Sequence, residues 1–144
     1  MKIEKIHHVA YRCKDAKETV EWYGKMLNMD FVLAIAEDHV PSTHEPDPYM
    51  HVFLDAGAGN VLAFFELPNS PPMGRDNNTP EWVQHIAFEV EDIESELARL
   101  KAEGFELIHE TAKDGADHKR IAFLHPKSTN GVLIELCQER PNKD

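Results

Sequence analysis

The sequence predicts an α+β protein built from two βαβββ modules. Three observations predict it: an internal repeat, a helix cap at the same place in each half, and three β-rich runs after each helix. Placing His8 over His85 is an offset of 77 residues. It lays "HHVAYRCKDAKETVEWYGKMLNMDFVLAI" over "QHIAFEVEDIESELARLKAEGFELIHE" and matches Ala10 with Ala87, Tyr11 with Phe88 and Asp15 with Asp92. Module 1 covers about 4–68, a proline-rich connector about 69–81, and module 2 about 82–139. At 144 residues the chain is long enough for one compact domain made of two small modules.

Each element has a local cause. Asp15 and Asp92 are N-cap residue types whose carboxylates accept from free backbone N–H groups, and Glu18 completes a capping-box spacing after Asp15. Ala16, Val20, Tyr23 and Leu27 recur at helical spacing, as do Ile93, Leu97 and Leu100, with Gly104 as a stop. The runs "FVLAIA", "YMHVFLDA" and "NVLAFFEL" follow the first helix; "FELIHE", "RIAFLHP" and "GVLIELCQ" follow the second. Between the first two runs, "EDHVPSTHEPDPY" has the length of a functional loop and is expected to act as a lid. The terminal "ERPNKD" is expected to be a mobile tail, and "LPNSPPMGRDNNTPE" a stiff connector.

Composition narrows the function. A formal charge of −11 repels polyphosphate backbones and anionic lipid surfaces, so nucleic acid is not an expected partner. No segment has the roughly 20 apolar residues of a membrane span, and no signal-peptide run is present, so a cytoplasmic protein is expected. Cys13 and Cys137 are too few and too far apart for a disulfide framework and read as small buried hydrophobes.

Strand alternation then separates two faces. Ile86, Phe88 and Val90 form an apolar face to pack under a helix, leaving His85, Ala87 and Glu89 opposite. Likewise Val9, Tyr11 and Cys13 pack under a helix, leaving His8, Ala10 and Arg12 opposite. A pseudo-twofold brings His8 and His85 together on the concave side of a curved eight-stranded sheet. Glu135 interrupts the apolar strand "NGVLIELCQ", and a carboxylate there is costly to bury unless it is paired or binds a cation. Two imidazoles and one carboxylate suit a divalent metal with open positions for substrate.

These residues resemble the vicinal oxygen chelate superfamily of glyoxalase I, methylmalonyl-CoA epimerase, extradiol dioxygenases, and fosfomycin and bleomycin resistance proteins. The opening "IHHVAYRCKDAKETVEWYGKMLNMDF" and the second-half "HIAFEVEDIESELARLKAEGFELI" carry the resemblance; "IAFLHPKSTNGVLIELCQ" is most similar to the epimerases. The resemblance implies that the modules form a cup around a divalent metal (Zn, Ni, Co, Mn or Fe), which a small-molecule substrate chelates, in a chain that is a homodimer. His8, His85 and Glu135 match three of the family's ligands. Where the family has a fourth, this sequence aligns Ala63, and Glu66 three residues later is the candidate fourth ligand. The implied activity is that of a metal-dependent glyoxalase- or epimerase-like isomerase or lyase, acting on a small carbonyl or thioester substrate by enolate proton transfer. Glu135, Glu45 and His51 are the candidate catalytic acids and bases. With only His8, His85 and Glu135 bound, the set also matches an Fe(II) extradiol dioxygenase. A bleomycin-resistance-like binding protein without metal is the third reading.

Overall fold

The computed structural model of the chain describes residues 1–72 and 83–140. The chain divides into two compact units, Met1–Arg75 and Asp76–Asp144. Most of the proline-rich connector and residues 141–144 of the expected tail lie outside the described residues.

In the first unit the order is β1 (Val9–Cys13), α1 (Ala16–Leu27), β2 (Asp30–His39), β3 (Pro46–Asp55) and β4 (Val61–Glu66). The sheet runs β1-β4-β3-β2, with β1 parallel to β4 and the other pairs antiparallel. The second unit repeats this as β5 (Ile86–Glu89), α2 (Ile93–Ala102), β6 (Lys113–Asp114), β7 (Arg120–Leu124) and β8 (Ile134–Gln138), in the sheet order β5-β8-β7-β6. The eight strands are thus shared four and four between two sheets, as two βαβββ modules.

Both helices start where the sequence places them. Asp15 accepts from Glu18 N at 2.7 Å, and Asp92 accepts from Ser95 N at 3.2 Å and from the Ser95 hydroxyl at 2.6 Å. The helix ends need left-handed residues, and Asn28 (φ 54°) and Gly104 (φ 89°) supply them. One face of α2 buries Ile93, Leu97 and Leu100. On α1 the buried set is Ala16, Thr19 and Tyr23, while Val20 and Leu27 are only half-buried. Thr19 is buried because its hydroxyl donates to Asp15 O at 2.6 Å, which removes the cost of an unpaired polar group.

Three expectations are corrected. The run "FELIHE" is not a strand: Leu107 makes a single bridge to Leu124, and the fourth strand is Lys113–Asp114. Phe105 is buried just after the helix, and Glu106 N donates to the Ser128 hydroxyl, so that backbone group is taken up outside a strand ladder. The expected lid is mostly strand, since β2 continues to His39 and β3 begins at Pro46, leaving a turn over 40–45. That turn is closed by Val40 N to Glu45 O at 2.9 Å and His44 N to Val40 O at 2.8 Å, with His44 left-handed (φ 59°). Pro46 and Pro48 are tolerated because β4 stops pairing at Met50, so this part of β3 has a neighbour on one side only. Cys137 is half-buried, whereas Cys13 is buried as expected; both are free.

Tyr23 is fully buried against Phe64, ring centroids 5.0 Å apart, and its hydroxyl has no partner among the described residues. Burial pushes the phenol well above its usual pKa. Tyr23→Phe should therefore hold or raise the melting temperature, because it removes an unsatisfied buried group and keeps the packing. Tyr23→Ala should cost about 3–5 kcal/mol in urea unfolding, as other buried aromatic deletions do; a smaller loss for Ala than for Phe would contradict this packing.

Candidate functional site

The parallel pairing of first and last strand sets the site in each unit. In the second unit Ala87 lies opposite Glu135, and Phe123 lies on the other side of Glu135. Paired residues share a face. His85, two residues before Ala87, therefore falls beside Glu135, with Nε2 and Oε2 2.9 Å apart. Ile134 and Leu136, of opposite parity, are buried on the helix side. The His85 ring meets Phe123 edge-on at 5.4 Å and 80°. Its Nδ1 is buried without a partner among the described residues. An imidazole and a carboxylate side by side, with one ring nitrogen still unsatisfied, are donors of the type that divalent first-row metals take. Among the described residues no cluster of three or more His, Cys, Asp or Glu side chains gathers, so this is a two-donor arrangement.

The first unit repeats the frame with different side chains. Ala10 lies opposite Ala63 and Phe53 on its other side, and His8 meets Phe53 edge-on at 5.2 Å and 75°. The contact almost reproduces that of His85 with Phe123. Ala63 occupies the place of Glu135, so His8 has no carboxylate there; its Nδ1 lies 2.8 Å from that of His7. His51 faces the same side as Phe53 and is buried, stacked on Phe65 at 3.6 Å and 16°. Its centroid is 5.9 Å from that of His8, and its Nε2 is buried without a partner among the described residues. Burial, then the neighbouring His8, hold its pKa below the usual imidazole value, so His51 is neutral at pH 7 and able to accept a proton.

The remaining candidates lie elsewhere. Glu66 pairs with Cys13 and Met50 and so faces α1, where its Oε2 accepts from Ala16 N at 2.7 Å. It is a carboxylate at the helix N-terminus, on the side away from His8. Glu45 is exposed in the β2–β3 turn, within 3.4 Å of the Thr43 hydroxyl. His109, which the sequence reading passed over, accepts from Phe123 N through Nδ1 at 3.3 Å and lies edge-on to the same Phe123 that flanks His85. It sits in the irregular segment where a strand was expected, so alternation gave no signal for it. Arg12 stands on the His8 face, opposite Phe65, as alternation predicts.

The sequence profile of the Glyoxalase/Bleomycin resistance protein/Dioxygenase superfamily matches residues 5–136. The chain belongs to this superfamily. It is 31% identical over 150 residues to an ethylmalonyl-CoA/methylmalonyl-CoA epimerase of Cereibacter sphaeroides, covering 94% of this chain and 98% of that protein. It is 40% identical over 139 residues to the uncharacterized protein YqjC of Bacillus subtilis, covering 96% and 94%. The crystal structure of a glyoxalase family protein from Bacillus cereus shares the fold at a TM-score of 0.74, with 14% identity over 98% of this chain and 97% of that one. Among the described residues no helix is long and apolar enough to cross a membrane.

Two outcomes follow from this geometry. Glu66→Ala should lower stability by about 1 kcal/mol, as loss of a helix N-terminal acceptor does, and leave metal content unchanged; lost metal at unchanged stability would make Glu66 a ligand instead. His51 and His109 both have pKa values lowered chiefly by burial. The unfolded chain, with imidazoles near 6.5, then binds protons first, so stability should fall as pH drops below about 6.5. Urea midpoints at pH 7.5 and 5.5 should differ less for His51→Gln than for the wild type.

Proposed function

We propose that the protein is a divalent-metal-dependent isomerase or lyase of the glyoxalase/epimerase type. It moves a proton on a carbon next to the carbonyl of a small carbonyl or thioester substrate. The observation that carries this reading is the His85–Glu135 pair, two metal-type donors set 2.9 Å apart on the sheet face away from the helix. The likeness to the Cereibacter epimerase over nearly the full length of both chains supports the reaction class.

His85 and Glu135 would hold the metal, and His8 is the metal-type donor at the equivalent place of the first unit. A bound divalent cation supplies positive charge that lowers the cost of negative charge forming on the carbonyl oxygen. The protein's own residues do the rest. His51, whose pKa is lowered by burial and whose Nε2 has no partner among the described residues, is the residue assigned to take the proton from the substrate carbon and return it. Phe53 and Phe65 flank that imidazole, at 4.2 and 3.6 Å between centroids, and hold its ring in one orientation. Glu45, exposed in its turn, is the weaker candidate for this base, and Glu135 is assigned to the metal.

The homodimer implied by the resemblance is also a proposal. Edge strand β2 exposes Phe31, Val32, Leu33 and Ile35, an apolar strip that a second copy would cover. Leu33→Lys should then shift the sedimentation coefficient toward that of a single chain.

The deciding experiment combines elemental analysis with deuterium exchange. Protein purified without chelators should carry stoichiometric metal that is lost in His85→Ala and in Glu135→Gln. In D2O it should exchange the α-hydrogen of methylmalonyl-CoA. His51→Gln should retain metal and slow exchange about 100-fold or more. Iron together with oxygen uptake on catechol would favour the ring-cleaving alternative, and absence of metal from every preparation would leave a binding protein.

A further inference from the structure

A strand residue beside the His85–Glu135 pair has its backbone bonds completed by a side chain. Phe123 turns its N–H and its carbonyl to the outer edge of β7. There β6 gives it no partner, because that strand has only two residues and pairs with Ile121 and Arg120. Instead the carbonyl accepts from Ile108 N at 3.0 Å and His109 N at 3.3 Å, and the N–H donates to Nδ1 of the His109 ring at 3.3 Å. The imidazole thus takes the place of a strand carbonyl. In the first unit the equivalent Phe53 needs no such substitute, since it lies opposite Leu33 within the ten-residue strand β2.

An accepting Nδ1 defines the chemical form of the ring. A neutral imidazole has one acceptor nitrogen, so the proton sits on Nε2, and an imidazolium has no acceptor at all. Burial, then the charge of Lys113, lower the pKa of His109, which favours the accepting form. The ring is also a wall. It is half-buried and meets the Phe123 ring edge-on, centroids 5.9 Å apart at 66°, while His85 meets the same ring at 5.4 Å and 80°. Phe123 therefore stands between two imidazoles, and across the strands it lies opposite Glu135. A displacement of Phe123 would disturb both members of the donor pair.

We infer that His109 is a positioning residue for the donor pair: its imidazole closes the outer edge of β7 at Phe123 and so holds the aromatic ring against which His85 is set beside Glu135. This rests on the reading of His85 and Glu135 as metal donors. It adds a residue that touches neither of them and acts through Phe123.

Two substitutions separate the bond from the bulk. H109N keeps an acceptor, since its Oδ1 is as many bonds from the backbone as Nδ1, whereas H109F keeps an aromatic ring and loses the acceptor. In chelator-treated full-length protein, the Phe123 amide should exchange in D2O about tenfold faster in H109F than in the wild type, the scale of losing one hydrogen bond. The NMR resonance of His85 Cε1–H should move in H109F. Titration with cobalt(II) should show affinity weakened about tenfold in H109F, the lower end of what loss of an orienting partner costs. H109N should stay near the wild type in all three. Unchanged amide exchange, an unmoved His85 resonance or unchanged cobalt affinity in H109F would each overturn the assignment, and so would an H109N that behaves as H109F. Thermal melts show whether H109F keeps the fold. If it does not, H109N decides, because a Phe123 amide that loses protection there overturns the role and one that keeps it supports the role. A wild type that takes up no cobalt ends the metal reading alone, since the amide and the His85 resonance are measured without metal.

Discussion

The parallel pairing of the first strand of each unit with its last is the constraint on which the rest of the structure depends. A parallel pair cannot be joined by a tight turn, so the chain must cross over, and in both units it does so first through a helix. The helix covers one face of its sheet and leaves the other for polar side chains. Because strand side chains alternate, the register of that pairing decides which residues reach the uncovered face. Ala87 against Glu135 brings His85 within hydrogen-bond distance of a carboxylate from the far end of the module. A slip of one residue would put Leu136 there and turn Glu135 into the core.

The two units hold this frame in common and differ in what they hang on it. The edge-on contact of His8 with Phe53 and of His85 with Phe123 is nearly the same in distance and angle. Gly59 and Gly131 both take positive φ just before the last strand, at 78° and 87°. Yet the first unit has Ala63 where the second has Glu135, and it has His51 where the second has Ile121. The second unit keeps a pair of metal-type donors. The first carries an imidazole whose pKa burial lowers, an aromatic row and an arginine that donates to Pro71 O.

Glu66 shows how an electrostatic demand inside the fold can take up a residue that sequence offers to a site. The free N–H groups at the start of α1 need acceptors, and Asp15 satisfies one of them. Glu66 ends the strand that runs alongside β1, on the helix side, and reaches Ala16 N. In the second unit the same place is met by Gln138, whose Oε1 accepts from Ile93 N at 3.0 Å. Both first residues of the helices are thus held by a side chain from the neighbouring last strand.

The sequence by itself determined the repeat, the capped starts of both helices, the face on which His8 and His85 stand, and the substitution of Ala63 for the carboxylate that Glu135 supplies. These are legible because alternation and capping depend on neighbours a few residues apart. Only the tertiary structure decided the fate of Glu66 and the burial of His51, because each depends on which strand lies beside which. Likewise "EDHVPSTHEPDPY" reads as loop by composition, but it becomes a hairpin once β2 and β3 can pair beyond the end of β4. "FELIHE" reads as strand by composition, but its backbone groups bond to Phe123 and Ser128 outside a regular ladder. Local preference is weak against long-range hydrogen bonding, so where the two disagree the partner strand prevails.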